Sequence, residues 1–409
     1  MRSSAEPIRI DCARWLLPVS TEPIRDGALA SQAGRVLAVG PRATILGEFA
    51  GRAQVHEHGE AAIMPGLVNC HAHLELTPLR GKVFSGETFT DWLGVLIDHK
   101  ALCSLAELRD GVRLGLAEAR GFGTALVADI VSPQVVKPGL YPPGQAVALV
   151  EVLGFSAQQV DNRWKHALAA LSLLKRDGVS AALAPHSPYT VCEALLRRCA
   201  GTPGLLSVHV AESREEVEFL RTGGSAIREL LVARRAWDEN FRPPGLSPVE
   251  YLDRLGLLRP GTLAVHLVQA TRDDLETLAR RGACACVCPR SNAATGVGAA
   301  PLREMLGLGL KVSLGTDSLA SNRDLNLFRE AQGALSLGAT PEEALRMATL
   351  WGAEALGQTK LGSLEPGQEP QPLLVPVEGD EPVVAALQAG AQGKAKFLFE
   401  EQTAAAAAG

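Results

Sequence analysis

The chain has 409 residues and a formal net charge of −5. That balance leaves no basic footprint for nucleic acid or an anionic membrane surface, and no apolar run approaches the ~18 residues needed to cross a bilayer. The length exceeds one ordinary core and suits a large barrel carrying a small extra domain.

The first residues, Met1 to Glu6, lack the apolar core of a signal peptide. The eight cysteines are scattered and do not form a dense disulfide framework. A cytoplasmic protein with reduced thiols is expected. Residues 1–62 read as short strands, 8–17, 28–39 and 54–58, punctuated by Gly27, Gly34, Gly40 and Pro41. They are expected to supply the N-terminal part of a small β-sandwich. His56 and His58 lie there among Gln54, Glu57 and Glu60 with no apolar strand beneath them, so this pair reads as solvent-facing.

From Pro65 the pattern changes to apolar strand-like runs alternating with amphipathic helical ones. The strand candidates are 66–69, 124–130, 146–153, 180–185, 205–210, 262–267, 283–288 and 311–315. Helical stretches include 105–120, 161–175, 214–231, 271–281 and 322–337, and 341–356 reads as one more helix, with Thr340 as N-cap and Pro341 at its first position. Eight strands each followed by a helix predict an α/β chain folded as a distorted (β/α)8 TIM barrel over residues 63–360. Residues 361–409 return to Pro/Gly-punctuated short strands, completing the β-sandwich from the other terminus, and end in the alanine run 404–408. Pro-rich insertions at 133–144 and 237–248 follow the second and fifth strands. They are candidate lids or plain surface connections.

A barrel of this kind keeps its chemistry at the C-terminal ends of its strands. Those ends carry His71 and His73, Asp129, His186, His209 with Glu212, His266, and Asp317. His71 and His73 share one face of their strand, because successive side chains alternate. A lone histidine at a strand end is more often a core residue than a ligand; five directed at one mouth, with an acid, reverse that expectation. His71, His73, His209 and Asp317 can hold one divalent ion and still admit a water. Asp317 can also take that water's proton, Glu212 suits proton transfer to a substrate, and His266 can hydrogen-bond the attacking oxygen. Strand 180–185 and the residues after it contain no lysine to bridge a second ion, so a single ion is expected. Cys284, Cys286 and Cys288 alternate along one strand without the Cys-x-x-Cys spacing of zinc ribbons and read as packing.

These motifs resemble the amidohydrolase superfamily. The residues that carry the resemblance are Pro65-Gly66 through His71 and His73, Pro185-His186-Ser187-Pro188-Tyr189, His209-Val210-Ala211-Glu212, His266, Cys288 to Asn292, and Gly315-Thr316-Asp317-Ser318. Within that superfamily the chain is similar to the cytosine and S-adenosylhomocysteine deaminases and triazine chlorohydrolases. The resemblance implies one Zn2+ or Fe2+ and proton transfer by Glu212 and His266. A finer similarity, carried by His71 to Thr77, Gly86 to Leu93 and Ser247 to Asp253, is to the aminodeoxyfutalosine deaminases of menaquinone synthesis. It implies hydrolysis of the 6-amino group of an adenine-type nucleoside, with a deaminase of S-adenosylhomocysteine, methylthioadenosine or another amino-heterocycle, or a chlorohydrolase of the same branch, as the alternative and a non-catalytic metal-binding barrel as the remote one. The substrate contacts it implies are Glu75, Arg80, Trp92, His186, Glu212, Asn292 and Ser318. Barrels of this kind often pair, which makes a homodimer the assembly to test.

Overall fold

The computed structural model describes residues 6–83 and 88–399. The alanine run 404–408 and the start of the Gly86–Leu93 segment lie outside them. The chain opens with β1 (Ile8–Leu16), β2 (Ile24–Gln32) and β3 (Arg35–Pro41), followed by β4 (Ala53–Glu57) and β5 (Ala61–Met64). The stretch 28–39, read above as one strand, is a hairpin: Ala33 (φ 51°) and Gly34 (φ 77°) form the tight turn between β2 and β3. A helix not foreseen, Arg42–Phe49, follows β3 and packs Ile45 and Phe49 onto Ile10, Cys12 and Ala28. His58 is not solvent-facing. It is half-buried, with Nε2 2.8 Å from Oδ1 of the fully buried Asp11, while Arg9 engages the same carboxylate.

The barrel strands are β6 (Leu67–Ala72), β7 (Thr124–Val131), β8 (Ala146–Val152), β9 (Ser180–Pro185), β10 (Leu206–Val210), β11 (Thr262–His266), β12 (Cys284–Val287) and β13 (Val312–Leu314). They lie in one parallel sheet in sequence order. Seven match the predicted strands to within a residue at each end, and β6 runs on to Ala72. Because helices cover the sheet, these strands are continuous apolar runs. Val68, Leu126, Leu149, Leu263 and Cys286, each from a different strand, meet in one cluster inside the barrel, and Cys288 joins them. The seam between β13 and β6 closes through a bridge between Ala72 and Asp317.

Two predicted helices are broken. The stretch 214–231 is Arg214–Thr222 and Ala226–Ala233, separated where Gly223 adopts a left-handed cap (φ 79°) and Ser225 caps the next helix. The stretch 341–356 breaks at Thr349 (φ −136°, ψ −92°), whose Oγ1 donates to the Leu345 carbonyl. Thr340 caps the first of these, with its hydroxyl accepting from the Glu343 N–H at 3.1 Å. Near the end, β14 (Leu373–Pro376) and β15 (Lys396–Phe397) flank a helix, Pro382–Ala391, where short strands alone were predicted. Its alanine-rich sequence has high helix propensity, and Gly390 lets it lie close against Phe328. β14 pairs with β5, so both termini build one seven-stranded sheet in the order β15-β14-β5-β1-β2-β3, with β4 also on β1.

Candidate metal centre and catalytic pocket

The C-terminal mouth of the barrel brings the Nε2 atoms of His71, His73 and His209 to 3.2 Å from one another. Asp317 Oδ1 stands 3.7 Å from His71 Nε2 and 3.6 Å from His73 Nε2. Ligands placed about 2.0–2.1 Å from a tetrahedral ion lie a little over 3 Å apart, so this donor set fits one divalent cation. Burial lowers the pKa of His71, His73 and His209, keeping all three as neutral imidazoles with lone pairs available. His209 Nδ1 donates to the His186 carbonyl at 2.6 Å, which fixes Nε2 as the inward-facing acceptor. Among the described residues this trio is the one His/Cys/Asp/Glu group whose ligand atoms converge in this way, and Cys284, Cys286 and Cys288 are free thiols in or beside the packed interior.

The supporting contacts come from the same loops. Asn69 Oδ1 accepts from the N–H groups of His71 and Thr316, and its amide donates to Thr316 Oγ1 at 2.7 Å. Asp317 Oδ2 accepts from Ser291 Oγ at 2.5 Å and Ser321 Oγ at 3.2 Å, leaving Oδ1 for the histidines. Burial alone would raise the Asp317 carboxyl; the imidazoles of His73, His71 and His266 and the Ser291 hydroxyl outweigh it and hold the group below the usual carboxylate range. Four residues at this mouth sit in left-handed backbone despite carrying a Cβ: Ala211 (φ 52°), His266 (φ 75°), Leu267 (φ 55°) and Asp317 (φ 56°). Such strain persists where surrounding contacts over-determine it. At Ala211 the buried Glu216 carboxylate does so, accepting from the N–H groups of Ala211 and Glu212.

Glu212 is buried at the mouth with Oε1 3.7 Å from His266 Nε2. Burial raises the Glu212 carboxyl well above its ordinary pKa, with the charges of Asp317 and Glu215 adding to the effect, which favours the protonated acid. Burial lowers His266, and its Nδ1–H donates to Asn292 Oδ1 at 2.9 Å, so Nε2 presents a lone pair. His186, lowered by burial to about 3, is neutral and held through Nδ1 by the hydroxyls of Thr190 and Ser187.

A cavity of about 1130 Å³ opens from this centre. Trp92, His186, Glu212 and Ser318 line it, as do Pro133 and Gln134 of the first Pro-rich insertion. The second insertion is held elsewhere: Trp237 and Phe241 pack with Phe155 and Phe219. Asp129 does not reach the centre; it anchors the wall, accepting from the Leu74 N–H at 2.7 Å and the Tyr141 hydroxyl at 2.6 Å. Three residues expected to touch substrate stand off the cavity wall. Arg80 is half exposed and pairs with Glu118 on the outer surface. Asn292 lies behind His266, and Glu75 is buried behind Lys100 and Ser132. Sequence reading missed Lys100, Ser132, Glu151 and Arg163, all of which line the cavity. Glu151 had a legible signal, a carboxylate inside the otherwise apolar run 146–152; Lys100 reaches the wall from a helix whose register alone gave none.

A closed parallel barrel with three convergent imidazoles, a carboxylate and a buried acid at its mouth defines a metal-dependent hydrolase. The chain belongs to the amidohydrolase family, whose model matches residues 62–393. It is 35% identical over 376 residues to the 5-methylthioadenosine/S-adenosylhomocysteine deaminase of Nitratidesulfovibrio vulgaris, covering 84% of this chain and 77% of that one. It is 32% identical over 319 residues to the aminodeoxyfutalosine deaminase of Deinococcus radiodurans, covering 74% and 75%. Among solved structures, a zinc-bound adenosine deaminase from Xanthomonas campestris superposes with a TM-score of 0.77 at 26% identity, over 98% of this chain and 96% of that one. The chain is accordingly a hydrolytic deaminase, acting on a C–N bond of a cyclic amidine.

Proposed function

We propose that this chain removes the 6-amino group of a 5′-substituted adenine nucleoside, with aminodeoxyfutalosine as its substrate. The observation that carries the chemistry is the pair Glu212 and His266, 3.7 Å apart beside the imidazole trio, because ligation alone requires neither. His71, His73, His209 and Asp317 would hold one divalent ion, Zn2+ or Fe2+, which when bound supplies an activated water at neutral pH. Asp317 Oδ1 takes the proton of the attacking water, and His266 Nε2 accepts a hydrogen bond from its O–H. Protonated Glu212 donates to ring nitrogen N1 as the oxygen adds to C6, so negative charge never accumulates on the ring. The proton held by Asp317 then passes to the departing amino group, ammonia leaves, and the carbonyl forms as the C6 hydroxyl gives its proton back to the Glu212 carboxylate.

The cavity supports a large 5′ substituent. Beyond the polar centre Phe89, Trp92, Leu93 and Ile97 give part of its wall an apolar face against which an aromatic group could pack. The similarity to the Deinococcus radiodurans deaminase agrees with this reading. The similarity at 35% identity to the Nitratidesulfovibrio vulgaris enzyme favours a second one, methylthioadenosine or S-adenosylhomocysteine.

The test is ammonia release by metal-replete protein given aminodeoxyfutalosine, adenosine, methylthioadenosine and S-adenosylhomocysteine. Preference for aminodeoxyfutalosine is expected. Preference for another of the four keeps the chemistry and overturns the substrate; silence on all four overturns the reading.

A further inference from the structure

Two buried carboxylates stand side by side near His73, and only one of them is provided for. Glu75 accepts from Lys100 Nζ at 2.6 Å, from Ser132 Oγ at 2.7 Å and from the Ser132 N–H at 2.9 Å. Glu151 has one nearby donor, the same Ser132 Oγ, at 3.4 Å from Oε2. That hydroxyl has a single proton, and the shorter contact directs it to Glu75. Oε1 of Glu151 has no hydrogen-bond partner among the described residues. Yet Glu151 is only 6% exposed, and what exposure it has is to the cavity, which it lines together with Ser132 and Lys100 while Glu75 does not. A buried carboxylate with no donors of its own is costly unless a ligand brings them.

Resting on the deaminase reading above, we infer that Glu151 and Lys100 form the sugar subsite, with the Glu151 carboxylate accepting from the vicinal 2′- and 3′-hydroxyls of the substrate's ribose and the Lys100 ammonium donating to one of their oxygens. The placement agrees. Glu151 and Ser132 lie at β8 and the end of β7, whereas Glu212 and His266 lie at β10 and β11. A purine spanning the centre turns N1 and C6 to the second pair and its N9-linked sugar to the first. Burial raises the Glu151 carboxyl, with Lys100 opposing the rise and the neighbouring Glu75 charge adding to it.

The test separates binding from turnover. Purine riboside, which has no 6-amino group to lose, and purine 2′,3′-dideoxyriboside are titrated calorimetrically into metal-replete wild type and E151Q. The riboside is expected to bind wild type at least about tenfold more tightly, since a charged acceptor loses two donors in the dideoxy compound, and the ratio should fall below about threefold in E151Q. S132A, which leaves both carboxylates in place, should keep the wild-type preference. Equal affinity of the two ligands for wild type, or an unchanged ratio in E151Q, overturns the subsite even if adenine nucleosides are deaminated. If the ratio behaves as expected but no nucleoside is deaminated, the deaminase substrate falls and the subsite stands. Selective loss of S-adenosylhomocysteine relative to methylthioadenosine in E151Q would reassign the carboxylate to an ammonium group and overturn the proposal.

Discussion

Asn69 and Thr316 join the first and last strands of the barrel by two reciprocal hydrogen bonds, Asn69 Nδ2 to Thr316 Oγ1 at 2.7 Å and Thr316 N–H to Asn69 Oδ1 at 3.2 Å. One side chain thus reinforces the seam that the Ala72–Asp317 bridge closes beyond the short β13, and the residues it ties are two positions from His71 and one from Asp317. Replacing Asn69 with Leu leaves buried donors and acceptors unpaired, at a cost of about 1–3 kcal/mol. Urea unfolding should register that loss together with lower metal content after purification. Full metal occupancy in a destabilised variant would separate the seam from the centre.

Glu212→Gln removes the proton donor without changing shape. Metal content should match wild type while kcat falls by about two to four orders of magnitude. A variant with wild-type-like kcat would remove Glu212 from the chemistry.

Asp129 gives a stability signature in pH. Burial pushes its carboxyl up to about 8, against the hydrogen bonds from Tyr141 and Leu74 and with the Glu75 charge adding to the rise. A group raised on folding stabilises fully below its unfolded pKa, and that contribution drains away as pH climbs through the folded value. Its share of stability should therefore fall between about pH 4 and pH 8. Asp129→Asn can still accept from Leu74 and pair with Tyr141 without titrating. Thermal unfolding of the variant should show a pH slope in that window shallower by up to about 1.4 kcal/mol per pH unit. An identical slope would count against a buried proton on Asp129.

Arg80 makes the contrasting case. Its ion pair with Glu118 lies at the surface, where such pairs contribute about 0–1 kcal/mol. Arg80→Ala is expected to leave kcat/KM on the preferred nucleoside within about twofold of wild type. A larger fall, concentrated in KM, would return Arg80 to the substrate.

The sequence displayed the barrel because buried parallel strands are apolar throughout and each is followed by an amphipathic helix. It displayed the candidate ligands because five histidines at strand ends, with an acid, are directed at one mouth. What it hid were relations that depend on how far a side chain reaches. Lys100 arrives at the cavity from an adjacent helix, and Asn292 looks like a substrate contact until its partner proves to be His266. Breaks in the backbone were hidden too. Gly223 and Thr349 interrupt helices whose apolar periodicity continues across the gap.

The interleaving of the two termini bears on how the chain is made. β5 lies between β1 and β14, and β14 is more than three hundred residues further along. During synthesis the β5 edge has no partner until the ribosome has delivered nearly the whole chain, and an unpaired edge is a template for the wrong neighbour. The long contact also makes this sheet slow to close. A nascent chain halted before Leu373 would therefore carry all eight barrel strands beside an open β-edge, which is the form most exposed to aggregation.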